Sequence, residues 1–148
     1  MISNKCYYGL KAMLELALRH GGGKPVTIGE IAEAQRIPVR FLEAILRQLK
    51  QGGLAESTRG KEGGYFLAKA ANRITVGQVI RLIDGPLVGV NALQGKEGHA
   101  GHHQEDPFAD IWQRADKAIA AVYDHATFSS IVDREHERVA GQASNFSI

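Results

Sequence analysis

The N-terminal half of this sequence contains three patterns typical of helices, followed by a glycine-rich hairpin. That order restricts the folds that the chain can adopt. The second pattern starts in a capping box, "TIGE", whose first residue is Thr27, and it ends at "QRIP". The third covers about 38–51, with Pro38 in its first turn and "QGG" stopping it at Gly52. Two helices joined by about four residues are typical of a helix-turn-helix motif.

A short hairpin is predicted directly after the third helix. Residues 54–57 and 64–67 are strand candidates, and the stretch "RGKEGG" that links them holds three glycines. Three helices and then such a hairpin is the order of a winged helix-turn-helix. The sequence therefore predicts a mainly α-helical fold with a small β-hairpin wing. In that fold the third helix lies in the major groove of DNA and the wing reaches the adjacent minor groove.

Position within this motif assigns candidate DNA contacts. Val39, Arg40 and Glu43 lie in the first turns of the third helix, where arginine prefers guanine and glutamate accepts from cytosine. Arg59 is predicted to enter the minor groove. Phosphate contacts are predicted for Arg36, Arg47 and Lys50. The full predicted set is Thr27, Arg36, Pro38, Val39, Arg40, Glu43, Arg47, Lys50, Arg59, Gly60, Lys61, Gly63 and Gly64. The alternatives are a solvated helix face and an ordinary hairpin turn.

Charge is distributed unevenly along the 148 residues, whose net charge is +2. Residues 1–72 carry 11 basic and 6 acidic side chains, whereas residues 73–148 carry 7 and 10. A basic N-terminal half indicates that the chain binds a polyanion, and double-stranded DNA is the predicted partner. No apolar run is long enough to span a membrane and no signal peptide is recognisable, so a cytoplasmic location without membrane contact is expected.

A second capping box, "TVGQ" at 75–78, begins a helix that is predicted to end at Gly85. Residues 1–85 are therefore expected to form the DNA-binding domain. Residues 86–106 have no hydrophobic periodicity and are rich in glycine and histidine, which predicts a loop.

The last third of the chain is predicted to be helical. Asp106 and Pro107 are expected to be the N-cap and first residue of a long helix over about 107–125. Thr127 is expected to cap a final helix, and the long helix and this final helix together are expected to cover 107–140. The stretch "GQASNFSI" at 141–148 is expected to be a flexible tail.

Three stretches carry a family resemblance: "YGLKAMLELA" at 8–17, "IAEAQRIPVRFLEAILRQLKQGGL" at 31–54 and "STRGKEGGYFLAKAANRITVGQVIRLIDG" at 57–85. The Ser-x-Arg-Gly-x-x-Gly-Gly-Tyr-x-Leu-Ala wing is the most specific of them. On these residues the chain resembles the IscR/NsrR/CymR-type winged-helix transcription regulators of bacteria. The resemblance implies a homodimer on a palindromic DNA site, with the helix at about 107–125 crossing its twofold mate. Repression is the expected mode of regulation.

The better-known members of that family sense through an iron–sulfur cluster held by three cysteines in the loop before the dimer helix. The matching segment here, "PLVGVNALQGKEGHAGHHQEDPF", contains no cysteine, and Cys6 is the only cysteine in the sequence. A three-cysteine cluster within one chain is therefore excluded, and no other cofactor is predicted. Family members that lack these cysteines respond to a partner protein or another signal, so an effector protein or a small molecule is expected to act here.

Two further features suggest a sensor. His99, His102 and His103 offer imidazole ligands for a metal ion, although a glycine-rich loop loses entropy when it orders around one. Cys6, beside Lys5 at the start of the first helix, is a candidate redox thiol with a lowered pKa, and a buried core position is the alternative. No nucleophile–base pair or cofactor motif is recognisable in the sequence, so an enzyme is not expected. The alternative functions are a metal- or redox-responsive sensor and a protein-interaction module whose winged helix binds a partner protein.

Overall fold

The structure is a computed structural model that describes residues 2–87 and 107–146. Within these ranges it contains six α-helices and one two-stranded antiparallel sheet. The elements are α1 Asn4–Leu18, α2 Ile28–Gln35, α3 Val39–Gln51, β1 Ala55–Thr58, β2 Gly64–Leu67, α4 Val76–Asp84, α5 Ala109–His125 and α6 Phe128–Phe146. This is the predicted winged helix-turn-helix followed by a long helix, and the predicted fold class is confirmed.

Short polar side chains start four of the helices, three of them at caps that the sequence predicts. The Ser3 hydroxyl accepts from the Cys6 amide at 3.0 Å. Thr27 and Thr75 each form a full capping box with the side chain three residues later. The Thr127 hydroxyl accepts from the Ser130 amide at 3.1 Å. Each bond satisfies an amide that the first helical turn leaves without a partner, which contributes about 1 kcal/mol per helix.

The end of α3 differs from the prediction by one residue. Gly52 is the C-cap with an ordinary φ of −80°, and the left-handed glycine is Gly53, with φ of +75°. Gly52 also makes a packing contact, because a Cβ at this position would overlap the side chain of Leu82 and force it to move. The pair "GG" thus combines a packing contact with the αL turn that ends the helix.

The start of α5 and the tail also differ from the prediction. Phe108 is the N-cap of α5 and offers no capping side chain, whereas Asp106 lies outside the described residues. Helix α6 continues to Phe146, so a flexible tail from residue 141 is wrong for 141–146. A single glycine, Gly141, costs about 1 kcal/mol in a helix but does not break one when alanine, glutamine and serine surround it.

Helix α1 lies at the centre of the fold, where it contacts α2, α3, α4, α6 and strand β2. Its buried face is centred on Ala12, Met13 and Leu16, while Leu10 and Leu14 are only half-buried. The core residues of α3 are Leu42, Ile45, Leu46 and Leu49, and all four are buried. Full burial of a side chain of this size contributes about 1.5–3 kcal/mol, so these contacts fix which face of α3 remains outside.

Candidate nucleic-acid interface

The face of α3 opposite its buried stripe is exposed to solvent. Val39 is 48% exposed, and the predicted contact residues Arg40, Glu43, Arg47 and Lys50 are also exposed. The N-terminal turn of α3 thus presents an apolar, a basic and an acidic side chain. These are the groups that read a thymine methyl, a guanine and a cytosine amino group.

The turn that leads into α3 is held tightly. Arg36 has a left-handed backbone, with φ of 55° and ψ of 50°, and it ends α2. The Ile37 amide donates to the Ala32 carbonyl at 3.0 Å, and the Ile37 side chain is buried. Pro38 is the N-cap of α3, one residue before its predicted place inside the first turn. Because Ile37 anchors this turn in the core, the angle between α2 and α3 is fixed.

Arg40 is part of an aromatic stack that the sequence analysis did not find. Its guanidinium lies 4.7 Å from the centre of the Phe41 ring, and Phe41 stacks on Tyr8 of α1 with ring centres 6.2 Å apart. Lys5 lines the same cleft. The stack limits the rotamers of Arg40, so less side-chain entropy is lost when it binds a ligand. Helical periodicity does not reveal such a contact, because Tyr8 and Phe41 are far apart in sequence.

The wing consists of β1, β2 and the tip at 59–63. Antiparallel pairing runs from Ala55 opposite Leu67 to Thr58 opposite Gly64. At the tip Gly60 has φ of +112°, which strongly favours glycine, and its carbonyl accepts from the Gly63 amide at 3.0 Å. Arg59 and Lys61 are exposed on either side of Gly60.

Gly63 and Gly64 are needed for contacts inside the protein. A Cβ on Gly63 would lie 2.5 Å from the Thr58 carbonyl oxygen, and a Cβ on Gly64 would lie 2.5 Å from the Val26 carbonyl oxygen. Val26 exchanges two backbone hydrogen bonds of 2.8 Å with Tyr65, so it forms a bridge to β2. Tyr65 is half-buried against the core. The glycines thus set the position of the wing on the domain.

The exposed cations of α3 and the wing are not neutralised. Across residues 36–64 the sequence has six basic and three acidic side chains. In the part of the chain that the structure describes, none of Arg40, Arg47, Arg59 and Lys61 forms an ion pair, whereas Arg19, Arg81, Arg114 and Arg138 all do. Free cations spaced over one surface favour a polyanionic partner, because their charge remains available to it.

Two predicted contact residues already have partners within the protein. The Lys50 ammonium donates to the Ser57 hydroxyl at 2.7 Å, which ties the end of α3 to β1. The Thr27 hydroxyl accepts from the Glu30 amide, so its oxygen is used in the capping box while its hydrogen remains available to a phosphate. Arg36, Arg47 and Arg59 are exposed at three separate points around α3 and the wing tip.

Comparison with known proteins identifies the family. Residues 2–134 match the profile of Rrf2, described as an iron-dependent transcriptional regulator. The chain belongs to the Rrf2 family. Among its relatives, the HTH-type transcriptional regulator CymR of Bacillus subtilis is 34% identical over 139 residues, which cover 92% of this chain and 94% of CymR. IscR of Erwinia tasmaniensis is 33% identical over 144 residues, which cover 97% of this chain and 86% of IscR.

Solved structures give the same result for the fold. The structure of CymR (YrzC), the global cysteine regulator of B. subtilis, matches with a TM-score of 0.75 at 32% identity, over 90% of this chain and 97% of that one. T. potens IscR matches with a TM-score of 0.75 at 30% identity, over 93% and 90%. The family and these relatives are transcription regulators rather than enzymes, which confirms both the resemblance and the expectation that this Rrf2 chain is not an enzyme.

The three-cysteine iron–sulfur cluster that the family resemblance brings to mind does not fit the residues of this chain. Cys6, the sole cysteine, has no exposed surface. Burial raises the pKa of its thiol to about 12, and hydrogen bonding and charge from Asp84 act in the same direction. The lowered pKa predicted from Lys5 and the helix start is therefore wrong, because the side chain points into the core beside a carboxylate. A protonated, enclosed thiol is neither a metal ligand nor a reactive nucleophile.

The predicted histidine site lies outside the described residues, since His99, His102 and His103 all fall within 88–106. Within residues 2–87 and 107–146, no group of three or more His, Cys, Asp or Glu side chains could hold a metal ion. Over the same ranges, no helix is long and apolar enough to cross a membrane.

Proposed function

We propose that this Rrf2 protein is a sequence-specific DNA-binding transcription regulator that acts as a homodimer on a palindromic site, with repression as its mode and the cytoplasm as its place of action. Each subunit inserts α3 into a major groove and the wing tip into the adjacent minor groove. The observation that carries the proposal is the surface of cations on α3 and the wing that have no ion-pair partner among residues 2–87 and 107–146, joined to an exposed N-terminal turn on α3.

The proposed contacts divide into two kinds. Val39, Arg40 and Glu43 read base edges, because the N-terminal turns of the second helix in a helix-turn-helix point at the floor of the groove. Arg36 and Arg47 bind phosphates and set the position of α3 without reading sequence. At the wing tip, Arg59 extends from a turn that Gly60 closes, and a narrow minor groove attracts such an arginine.

The homodimer rests on the apolar face of α5. Phe108, at its N-cap, and Ile111, Trp112 and Val122 are 55%, 53%, 39% and 68% exposed, and no residue of α5 is buried. Their spacing places them along one side of the helix. A long stripe of this kind marks an association surface, and a second copy of the same helix offers the matching stripe in a twofold dimer.

The dimer is tested with a matched pair of single substitutions. Val122→Asp should shift the 16.1 kDa chain from dimer to monomer in analytical ultracentrifugation, because it places a charge on the stripe. Gln113→Asp adds the same charge nine residues away, on the opposite side of α5, and should leave the dimer unchanged. Dissociation by both variants or by neither would exclude this stripe as the dimer surface.

DNA recognition is tested by selecting duplexes from a random-sequence pool with the full-length protein. We expect a palindromic motif to be enriched, and the affinity for it to exceed that for a scrambled duplex at each salt concentration. The logarithm of the association constant should fall linearly with log salt, by about 0.9 for each phosphate contacted. No enrichment and a flat salt series would favour the protein-interaction module over a DNA-binding regulator.

A further inference from the structure

An exposed ion pair joins the DNA-binding domain to α5. Both terminal nitrogens of Arg81, on α4, donate to the Asp124 carboxylate in the last turn of α5, at 2.7 and 2.8 Å. This bond holds the pKa of Asp124 below its usual range. The two residues are 43 positions apart, so the contact is a tertiary one.

Gly77 makes room for this pair. It lies one helical turn before Arg81 on the same side of α4, and a Cβ at this position would overlap Asp124 Oδ1. Its φ is not positive, so the backbone does not require glycine here. The carboxylate is therefore seated between the backbone at Gly77 and the guanidinium of Arg81.

A second attachment lies at the start of α4. The Val76 amide donates to the Ala126 carbonyl at 2.8 Å, and the Phe128 amide donates to the Ile74 carbonyl at 2.9 Å. The Phe128 side chain is buried in the core. This backbone clasp fixes where the α5–α6 turn sits on the domain. The Arg81–Asp124 pair adds a side-chain attachment to this backbone clasp, and the two together influence the direction in which α5 leaves the domain.

The direction of α5 matters because one end of its dimer stripe is far from the Arg81–Asp124 pair. Phe108 and Ile111 lie at the opposite end of the 17-residue helix, roughly 20–25 Å from Asp124 at 1.5 Å per residue. A 10° change in the direction of α5 at the Arg81–Asp124 pair displaces that end by about 4 Å. One base-pair step is about 3.4 Å, so the displacement is comparable to one step along the DNA.

From this geometry we infer that Arg81, Asp124 and Gly77 are positioning residues that set the separation of the two α3 helices in the dimer, and with it the spacing of half-sites that the protein accepts. The inference rests on the proposed function. The pair adds little to the stability of the fold, because both side chains are 42% exposed and such pairs contribute only about 0–1 kcal/mol to the free energy of unfolding.

The test measures affinity for duplexes that carry the selected half-sites with the spacer shortened or lengthened by one or two base pairs. The wild-type protein should prefer one spacing. Arg81→Gln and Asp124→Asn should reduce that preference about tenfold while binding an isolated half-site as well as the wild type does. Arg81→Lys, which keeps the charge but loses the two-pronged contact, should behave like Arg81→Gln. Gly77→Ala should have the same effect by displacing the carboxylate.

The chain provides a matched control in the Arg138–Glu135 pair. It also has two short contacts, of 2.9 and 2.6 Å, but it lies within α6 alone. Arg138→Gln should therefore keep the wild-type spacing preference. Loss of the preference in this control as well would assign the effect to net charge and would overturn the inference.

A measurement without DNA separates this inference from the proposed function. A spin label at Gln51→Cys, an exposed position at the end of α3, reports the distance between subunits, since buried Cys6 does not react. Arg81→Gln should broaden that distance distribution. An unchanged distribution together with an unchanged spacing preference would refute the positioning role of the Arg81–Asp124 pair. Wild-type protein that binds no duplex would refute the proposed function. The distance distribution would still decide whether the Arg81–Asp124 pair fixes the separation of the two subunits.

Discussion

Replacing Gly64 with alanine tests how the wing is attached to the domain. The new Cβ would lie 2.5 Å from the Val26 carbonyl oxygen and 2.7 Å from the carbonyl carbon. Both are backbone atoms, so no side-chain rotation removes the overlap, and strand β2 must separate from Val26. The backbone of Gly64 itself is suited to alanine, because its φ is not positive.

The magnitude follows from what this separation breaks. Val26 and Tyr65 exchange two backbone hydrogen bonds of 2.8 Å, each with a net contribution of about 1 kcal/mol. Val26 is only 3% exposed, so its displacement also removes part of the roughly 1.5–3 kcal/mol gained by burying such a side chain. Gly64→Ala should therefore lower the free energy of unfolding by about 2–4 kcal/mol.

The assay is urea unfolding of full-length Gly64→Ala beside Gly22→Ala. A Cβ on Gly22 would meet no atom within 4 Å, and the φ of Gly22 is not positive. The control should match the wild type or gain about 0.4–1 kcal/mol, because alanine reduces the entropy of the unfolded chain. Equal stability of the two variants would refute the reasoning that Val26 fixes the wing.

Four further predictions concern DNA contacts and the thiol. Arg59→Ala should weaken binding to the selected duplex by about 1–3 kcal/mol without changing the dimer in ultracentrifugation, and unchanged affinity would remove the wing from the interface. Arg47→Ala should weaken binding to all duplexes alike and reduce the salt slope by about 1, whereas a loss confined to one base position would assign it to base reading. Cys6 should not react with a thiol reagent near neutral pH until the protein unfolds, and prompt labelling would contradict its burial. Because folding raises its pKa from 9.0 to about 12, its contribution to stability should be complete below pH 9 and be lost as pH rises toward 12, which urea unfolding at a series of pH values would measure.

Local chemistry accounts for the parts of the fold that the sequence predicts correctly. The capping boxes at Thr27 and Thr75 involve residues only three positions apart, and the buried stripe of α3 follows from helical spacing. The exposed face of α3 follows from its buried one, so most candidate DNA contacts could be assigned before the structure was known.

The features that sequence analysis missed depend on distant packing. The raised pKa of Cys6 depends on its burial and on Asp84, and the second role of Gly52 depends on Leu82. The Arg81–Asp124 pair and the stack of Tyr8 on Phe41 join residues from separate helices. No short spacing in the sequence reveals such pairs, because the fold alone brings them together.

The most direct measurement is chemical interference on the selected duplex, with methylation at guanine N7 in the major groove and adenine N3 in the minor groove. We predict two clusters of N7 interference, one for each α3, separated by about 10 base pairs or a multiple of that, with N3 interference beside each cluster. Arg59→Ala should remove the N3 signals alone. A single cluster, or interference confined to the minor groove, would contradict a dimer that reads DNA through α3 and the wing.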